Sequence, residues 1–316
     1  MSQIRSVAPH AEIIDAGQER VAAELFEADI FCGHAKVPVP WDEIVARRRL
    51  RWIQSSAAGM DHCLVPSVIR SNILVTSASG LFADQVAEQT LVLLLGVLRD
   101  LPTFFRQQQR REFVRRTTAD LTGTTVGIVG FGGNGRRIAE VLQPFRTRIL
   151  ATDLFPRTPV PGMAAVWPAE RLDEMLAQVD VVILCVPLNP QTHGMFDAQR
   201  LGRLKRGAVL INVARGPVVV EADLIQALRS GQLAGAGLDV TETEPLPSDS
   251  PLWDMPRVLI TPHVGAQSAS RYDDVTDFFS ENLCRYLAQE PLWNVVDRQL
   301  GFPVEPAVWT PRRTVR

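Results

Sequence analysis

The stretch Thr125–Asp153, TVGIVGFGGNGRRIAEVLQPFRTRILATD, constrains this chain more than any other. A β-branched run, Val126-Gly127-Ile128-Val129, ends at Gly130-Phe131-Gly132-Gly133-Asn134-Gly135, and a segment with Ile138, Val141 and Leu142 on one helical face follows. The order predicts strand, tight turn, helix. A second apolar run, Ile149-Leu150-Ala151, then leads to Asp153. An acid at that remove from the glycines is where a doubly wound dinucleotide-binding unit carries its ribose-binding carboxylate.

Each glycine has a physical task in such a unit. Gly130 permits the turn, Gly132 lets the main chain approach a pyrophosphate, and Gly135 lets helix and strand pack closely. The unpaired N–H groups of the helix N-terminus hold the phosphates. The spacing alone also fits an ordinary βα turn that binds nothing; the strand before it, the helix after it and the acid downstream favour the dinucleotide. A carboxylate accepts from a free 2′-hydroxyl and repels a 2′-phosphate, so Asp153 predicts NAD over NADP. Arg157, nearby in sequence, leaves NADP open.

With 316 residues the chain is long enough for two domains with their own cores. A net charge of −2 offers nucleic acid no attractive field. The basic run 106–116 is interrupted by Glu112 and Phe113 and reads as a solvated loop or an interface face. Residues 100–120 lack a sheet pattern and would suit an arm on a partner subunit. The first fifteen residues lack an apolar core of signal-peptide length, and the longest apolar run, Leu91–Leu98, is too short to span a bilayer. The expectation is a cytoplasmic protein without membrane contact. Cys32, Cys63, Cys185 and Cys284 are scattered with no CxxC spacing, which reads as reduced thiols and neither a metal site nor a disulfide framework.

Along the first eighty residues, candidate strands Ala28–Cys32, Trp52–Ser55 and Ile73–Val75 alternate with helical segments and predict a small parallel sheet. The small-residue turn Ser55–Asp61 follows one of them, the position at which open α/β sheets place ligands. Asp84–Leu98 has a helical pattern and is expected to cross from the first domain to the second. After the glycine turn, strands are expected at Val179–Val186, Ala208–Val213, Ala234–Val240 and Val258–Ile260, with helices at Glu221–Arg229 and about 268–289. The Pro- and Trp-rich tail is expected to return to the first domain. The predicted class is α/β: a doubly wound parallel sheet over 96–287, and a smaller flavodoxin-like domain over 1–95 completed by 288–316.

Arg215, Glu244 and His263 each follow a predicted strand in the second half. Hydride transfer to or from an alcohol carbon requires that the hydroxyl proton move too, and histidine titrates in the right range. A 2-oxo acid also carries a carboxylate, which an arginine fork binds in two places. Taken singly, each has a bland alternative: a capping or core histidine, a surface ion pair, a solvated acidic loop. His62, beside the Ala58-Gly59 turn, is the one other histidine with a pocket-like context.

Together the motifs resemble the D-2-hydroxyacid dehydrogenases, the NAD(P)-dependent family that includes D-lactate and D-3-phosphoglycerate dehydrogenases and glyoxylate/hydroxypyruvate reductases. The resemblance covers residues 55–296. It is carried by Ala58-Gly59-Met60-Asp61, Val86-Ala87-Glu88, Thr125–Gly135, Pro187-Leu188 with Thr192, Ile211–Gly216, Gly237-Leu238-Asp239-Val240 with Glu244-Pro245-Leu246, and Thr261-Pro262-His263-Val264-Gly265.

The resemblance implies His263 as general acid in reduction, with Glu244 hydrogen-bonded to it and favouring its protonated form. It implies that Arg215 binds the substrate carboxylate, helped by N–H groups of Ala58, Gly59 and Met60. Gly130 to Gly135, including Phe131, Gly133 and Asn134, would bind the cofactor with Asp153, Val186, Pro187 and Thr192, while Asp239 and the Ala214 carbonyl hold the nicotinamide carboxamide. It further implies two domains that close over a small substrate, in a homodimer joined through the nucleotide domain. Asn134 stands where the family often has isoleucine, Ser268 where it often has threonine, and Phe82 where many members have a polar residue, so a bulkier or more apolar substrate side chain is expected. The first fifty residues match nothing specific. The activity expected is reduction of a 2-oxo acid of the glyoxylate/hydroxypyruvate type. Formate dehydrogenases of similar sequence carry Gln where Glu244 stands, and an NAD-sensing corepressor-like module is the non-catalytic alternative.

Overall fold

The computed structural model describes residues 2–304, which form two units. One comprises residues 2–82 with 268–304, and the other residues 83–267. The joins expected from sequence lie at 95/96 and 287/288, and both move because of how two helices pack, as shown below.

The smaller unit is built on three parallel strands, β1 (Ile30–Gly33), β2 (Trp52–Ser55) and β3 (Leu74–Thr76), hydrogen-bonded in that order. All four residues of central β2 are buried, as expected of a parallel strand covered on both faces. Alternation along it sends Ile53 into a core with Trp41, Ile44, Val68 and Val75, and Trp52 into another with Phe279 and Leu283. The flavodoxin-like order 2-1-3-4-5 has five strands and a reversal. The described sheet is parallel and α/β as expected, with three strands in sequential order; the segment 11–15 forms no strand and Ile14 is 49% exposed. The tail does return: the Val296 N–H donates to Val75 O at 2.9 Å and closes the outer edge of β3. Residues 305–316 of the expected completion lie outside the described residues.

Helix Arg271–Leu287, expected within the nucleotide-binding domain, belongs to this unit. Its Phe279 and Tyr286 rings lie 5.4 and 5.0 Å from that of Trp52. Its buried Asn282 donates to Gln54 Oε1 at 2.9 Å and accepts from the Trp293 N–H at 2.9 Å. An amphipathic pattern shows which face is apolar but not which sheet covers it.

The larger unit carries seven parallel strands: β4 (Thr125–Val129), β5 (Arg148–Asp153), β6 (Ala165–Pro168), β7 (Val181–Leu184), β8 (Ala208–Asn212), β9 (Leu233–Leu238) and β10 (Val258–Ile260). Their order is β10-β9-β8-β7-β4-β5-β6. The chain starts at β4, runs outward to β6, crosses back, and continues on the other side from β7. The order therefore reverses between β4 and β7, the switch point at which such sheets bind ligands. Val126, Ile128, Val181 and Ile183 face one core with Leu93, Leu94, Ile138 and Leu142. Val129, Val182, Leu184 and Leu210 face the other, with Met175, Leu176 and Leu224. Strand β6 had no signature in the sequence, being a short, half-buried edge strand ending in proline.

Helix Ala83–Leu98 packs in this unit from its first residue, against β8, β9 and β10, so it does not bridge the two. Two glycines of β9 set the approach. A Cβ on Gly237 would meet Leu93 Cβ at 2.9 Å, and one on Gly235 would meet Val97 Cγ1 at 2.7 Å. Helix Leu101–Gln109 follows, pinned by Arg106 donating to the carbonyls of Met255 and Pro256. Among the described residues no helix is long and apolar enough to cross a membrane.

Candidate active site

The glycine turn leaves β4 at the switch point. Gly130 has φ +94°, a conformation costly for any side chain, and a Cβ on Gly135 would lie 2.1 Å from Gly130 O. Only glycine fits there. A Cβ on Gly132, by contrast, would meet nothing within 4 Å, leaving room beside the main chain at the N-terminus of helix Gly133–Leu142. That combination of a closed inner side and an open outer side suits a pyrophosphate. Gly133 and Asn134 form the first helical turn. Phe131 points inward as a fully buried core residue, so it contributes backbone only.

Asp153 ends β5. Its Oδ2 accepts from the Phe131 N–H at 2.5 Å and its Oδ1 from the Phe155 N–H at 2.8 Å. The acid thus ties the glycine turn to β5, and since a carboxylate has about four acceptor positions, capacity for a ribose hydroxyl remains. Past β7, Val186 and Pro187 are half-buried. Thr192 shapes the loop behind them, donating to Pro187 O at 2.6 Å and accepting from the Asn189 N–H at 2.9 Å.

Ala214 and Arg215 follow β8. The Ala214 N–H donates to Asn212 Oδ1 at 3.0 Å, and its carbonyl accepts from Arg215 Nη1 at 2.8 Å. Asp239, 3% exposed at the end of β9, uses both oxygens on the turn that carries the histidine. Oδ1 accepts from Thr261 Oγ1 at 2.7 Å and the Val264 N–H at 3.0 Å, and Oδ2 from the Gly265 N–H at 2.8 Å. Gln89 Nε2 donates in turn to Thr261 Oγ1 at 2.8 Å. Gln89 gave no signal of this role in the sequence, being one of three consecutive polar residues, Glu88, Gln89 and Thr90, on a long helix, and Thr261 entered only as the first residue of the 261–265 motif.

These bonds hold His263 at φ +53°, with its N–H donating to Asp239 O at 2.8 Å. A left-handed histidine persists only where its surroundings impose it. The effect is to aim the ring at Glu244: Nδ1 lies 2.9 Å from Glu244 Oε2. Burial of Glu244 opposes its ionisation. The hydrogen bond and charge of His263, the Thr241 N–H and the charge of Arg215 outweigh that and hold the carboxyl below the usual carboxylate range. Arg215, Glu244 and His263, from three different loops, therefore act on one another within one unit.

The turn Ala58-Gly59-Met60 belongs to the other unit. Its entry is fixed by Ser55, whose buried Oγ accepts from the Ala57 N–H at 3.0 Å and donates to Ala57 O at 3.1 Å. Met60 anchors it as a core residue, 3% exposed. Ala58 and Gly59 are half-buried. His62 Nε2 sits 3.4 Å from Ser55 Oγ, and its ring stacks on His34 at 4.0 Å. Phe82 is buried, with the Arg271 guanidinium over its ring. The thiols of Cys32, Cys63 and Cys185 are pushed up to about 12 by burial, which leaves them un-ionised at neutral pH.

A glycine turn at a switch point, followed by a carboxylate-backed histidine and an arginine on one side of the same sheet, defines a nicotinamide-nucleotide-dependent oxidoreductase. Comparison with known proteins gives the class its family. Residues 91–265 match D-isomer specific 2-hydroxyacid dehydrogenase, NAD binding domain. A human glyoxylate reductase/hydroxypyruvate reductase is 34% identical over 255 residues, covering 78% of this chain and 77% of the relative. A D-3-phosphoglycerate dehydrogenase of Mycobacterium tuberculosis is 31% identical over 277 residues, 86% of this chain; the chain spans about half of that relative, 52% of its length. Among solved structures, a D-isomer specific 2-hydroxyacid dehydrogenase from Xanthobacter autotrophicus Py2, in complex with NADPH and MES, has a TM-score of 0.81 and 32% identity, covering 95% of this chain and 94% of that one. The chain belongs to the D-isomer specific 2-hydroxyacid dehydrogenase family, and its matched region is that family's NAD-binding domain.

Proposed function

We propose that this dehydrogenase reduces small 2-oxo acids of the glyoxylate/hydroxypyruvate type, with NAD(H) as its preferred cofactor. The observation that carries the reading is the 2.9 Å contact between His263 Nδ1 and Glu244 Oε2. With Nδ1 held by a carboxylate, the proton on Nε2 is the one available to the 2-oxo oxygen. A reduced nicotinamide, when bound, supplies the hydride that goes to C2. Arg215 holds the substrate carboxylate and stabilises the charge that develops on the oxygen before His263 delivers its proton. Gly130, Gly132, Gly133, Asn134 and Gly135 cradle the pyrophosphate, and Val186, Pro187 and Thr192 border it. Asp153 accepts from the ribose. The Ala214 carbonyl and Asp239 orient the carboxamide, the latter with whatever acceptor capacity the 261–265 turn leaves it.

The acidic Asp153 supports NAD(H), although the similar Xanthobacter enzyme is a complex with NADPH. We further propose a cytoplasmic homodimer. Its support is the exposed segment after helix Leu101–Gln109, where Phe113 is 98% exposed and Val114 56%. Phe113 and Val114 are adjacent, and contiguous exposed apolar surface is what a partner subunit covers. The paired His263 and Glu244 give no reason to retain a non-catalytic NAD-sensing role. The test is to mix the purified protein with glyoxylate or hydroxypyruvate and either NADH or NADPH, and follow absorbance. Turnover with higher kcat/KM for NADH is expected; no turnover with either removes the reading, and a preference for NADPH removes the role given to Asp153.

A further inference from the structure

Helix Ala83–Leu98 lies along β9 and keeps step with it. A Cβ on Gly235 would meet Val97, and one on Gly237 would meet Leu93. One turn nearer the helix N-terminus, Gln89 stands level with Asp239: its Cγ would lie 3.7 Å from a Cβ on Gly265, whose N–H donates to Asp239 Oδ2 at 2.8 Å. Four helical residues advance about 6 Å and two strand residues about 6.6 Å, so the pairing carries from one step to the next. The following step reaches Gln85. Strand β9 ends at Leu238, so Gln85 stands past the carboxyl end of the sheet, where open α/β sheets take their ligands.

Gln85 is 8% exposed, and its buried Oε1 accepts no hydrogen bond from any described residue. Buried amide oxygens are nearly always paired, because an unmet one keeps the full cost of leaving water. The turn of helix that carries it is anchored. Arg137 Nε, on the helix that opens at the glycine turn, donates to Asp84 Oδ1 at 2.6 Å, and Val86 and Ala87 are buried in the core with Phe131 and Ile138. Gln85 therefore stands between the helix assigned to the pyrophosphate and the level of Asp239, to which the carboxamide is assigned. Asp239 is largely committed: Thr261 Oγ1 and the Val264 and Gly265 N–H groups fill three of about four acceptor positions. A primary carboxamide brings two N–H donors.

We propose that Gln85 is a further cofactor-binding residue, whose Oε1 accepts from the carboxamide N–H of a bound nicotinamide. The inference rests on the reading that Asp239 and Ala214 border the nicotinamide; all three residues lie in one unit. The test is a fluorescence titration with NADH and with reduced 3-acetylpyridine adenine dinucleotide, in which a methyl group replaces the carboxamide nitrogen. Wild-type enzyme should bind NADH about 10-fold tighter. Gln85→Met, of similar length but without the amide, should cut that preference to about 3-fold or less, and Gln85→Glu, which keeps an acceptor, should restore part of it. ADP-ribose, which lacks the pyridine ring, should bind wild type and Gln85→Met alike. A preference that Gln85→Met leaves unchanged overturns the proposal, as does a wild-type ratio near one. An equal loss of affinity for NADH and ADP-ribose makes Gln85 a structural residue and overturns it too. Failure of the wild-type enzyme to bind either dinucleotide removes the nucleotide site itself, a result distinct from binding without a preference.

Discussion

His263 is useful because of what its neighbours do to it. Asp239 and Thr261 hold its backbone in a left-handed conformation, and Glu244 holds its Nδ1. On the proposed reading, Glu244→Gln removes the carboxylate that holds Nδ1 and should lower kcat for reduction, measured at saturating NADH; an unchanged kcat would separate Glu244 from the proton donor. Glu244 itself, held below the usual carboxylate range by His263, contributes its pairing to stability fully above the ordinary carboxylate pKa of about 4.3. That contribution is lost as pH falls through its lowered value. If Arg215 holds the substrate carboxylate as proposed, Arg215→Ala should reduce kcat/KM by about 10²–10⁴-fold. Steady-state kinetics at saturating NADH measures it, and a loss below tenfold would move Arg215 out of the site.

At the scale of elements, the strand, turn and helix of 125–142 are joined by close approach, and on the proposed reading the cofactor's pyrophosphate lies against them. Gly135→Ala drives a Cβ against Gly130 O and separates helix Gly133–Leu142 from β4. We expect a lower Tm and NADH affinity weakened by at least about tenfold, or 1.4 kcal/mol. NADH fluorescence titration checks this, and unchanged affinity would mean that the turn does not hold phosphate. The same scale shows where reading a sequence succeeds. β2, β10 and helix Glu221–Arg229 stand where their patterns put them. Central β4, β7 and β8 announce themselves as uninterrupted apolar runs because both faces are buried. β6 has one strand neighbour and half-exposed residues, so its composition carries no such mark.

For the whole molecule, the two units hold separate cores, and each must fold around its own sheet. The arm that follows helix Leu101–Gln109 is outside both cores. If it embraces a second subunit, Phe113→Glu should convert dimer to monomer in light scattering while leaving the melting of each unit near its wild-type value. Wild-type protein that is already monomeric would dispose of the dimer.

Periodicity and glycine spacing were enough to determine the α/β class and the strand, turn and helix of 125–142, because these signals are local: each lies within about thirty residues of chain. The order of Arg215, Glu244 and His263 along the sequence marked them, but their mutual action, and the work of Asp239, Thr261 and Gln89 behind them, depends on loops brought together from β8, β9 and β10. Only the tertiary structure decided which sheet each long helix covers, and that Arg271 lies over Phe82 beside the Ser56 carbonyl. The physical reason is the same in both cases: an apolar face or a cation states what it needs, and packing alone chooses the partner that meets it.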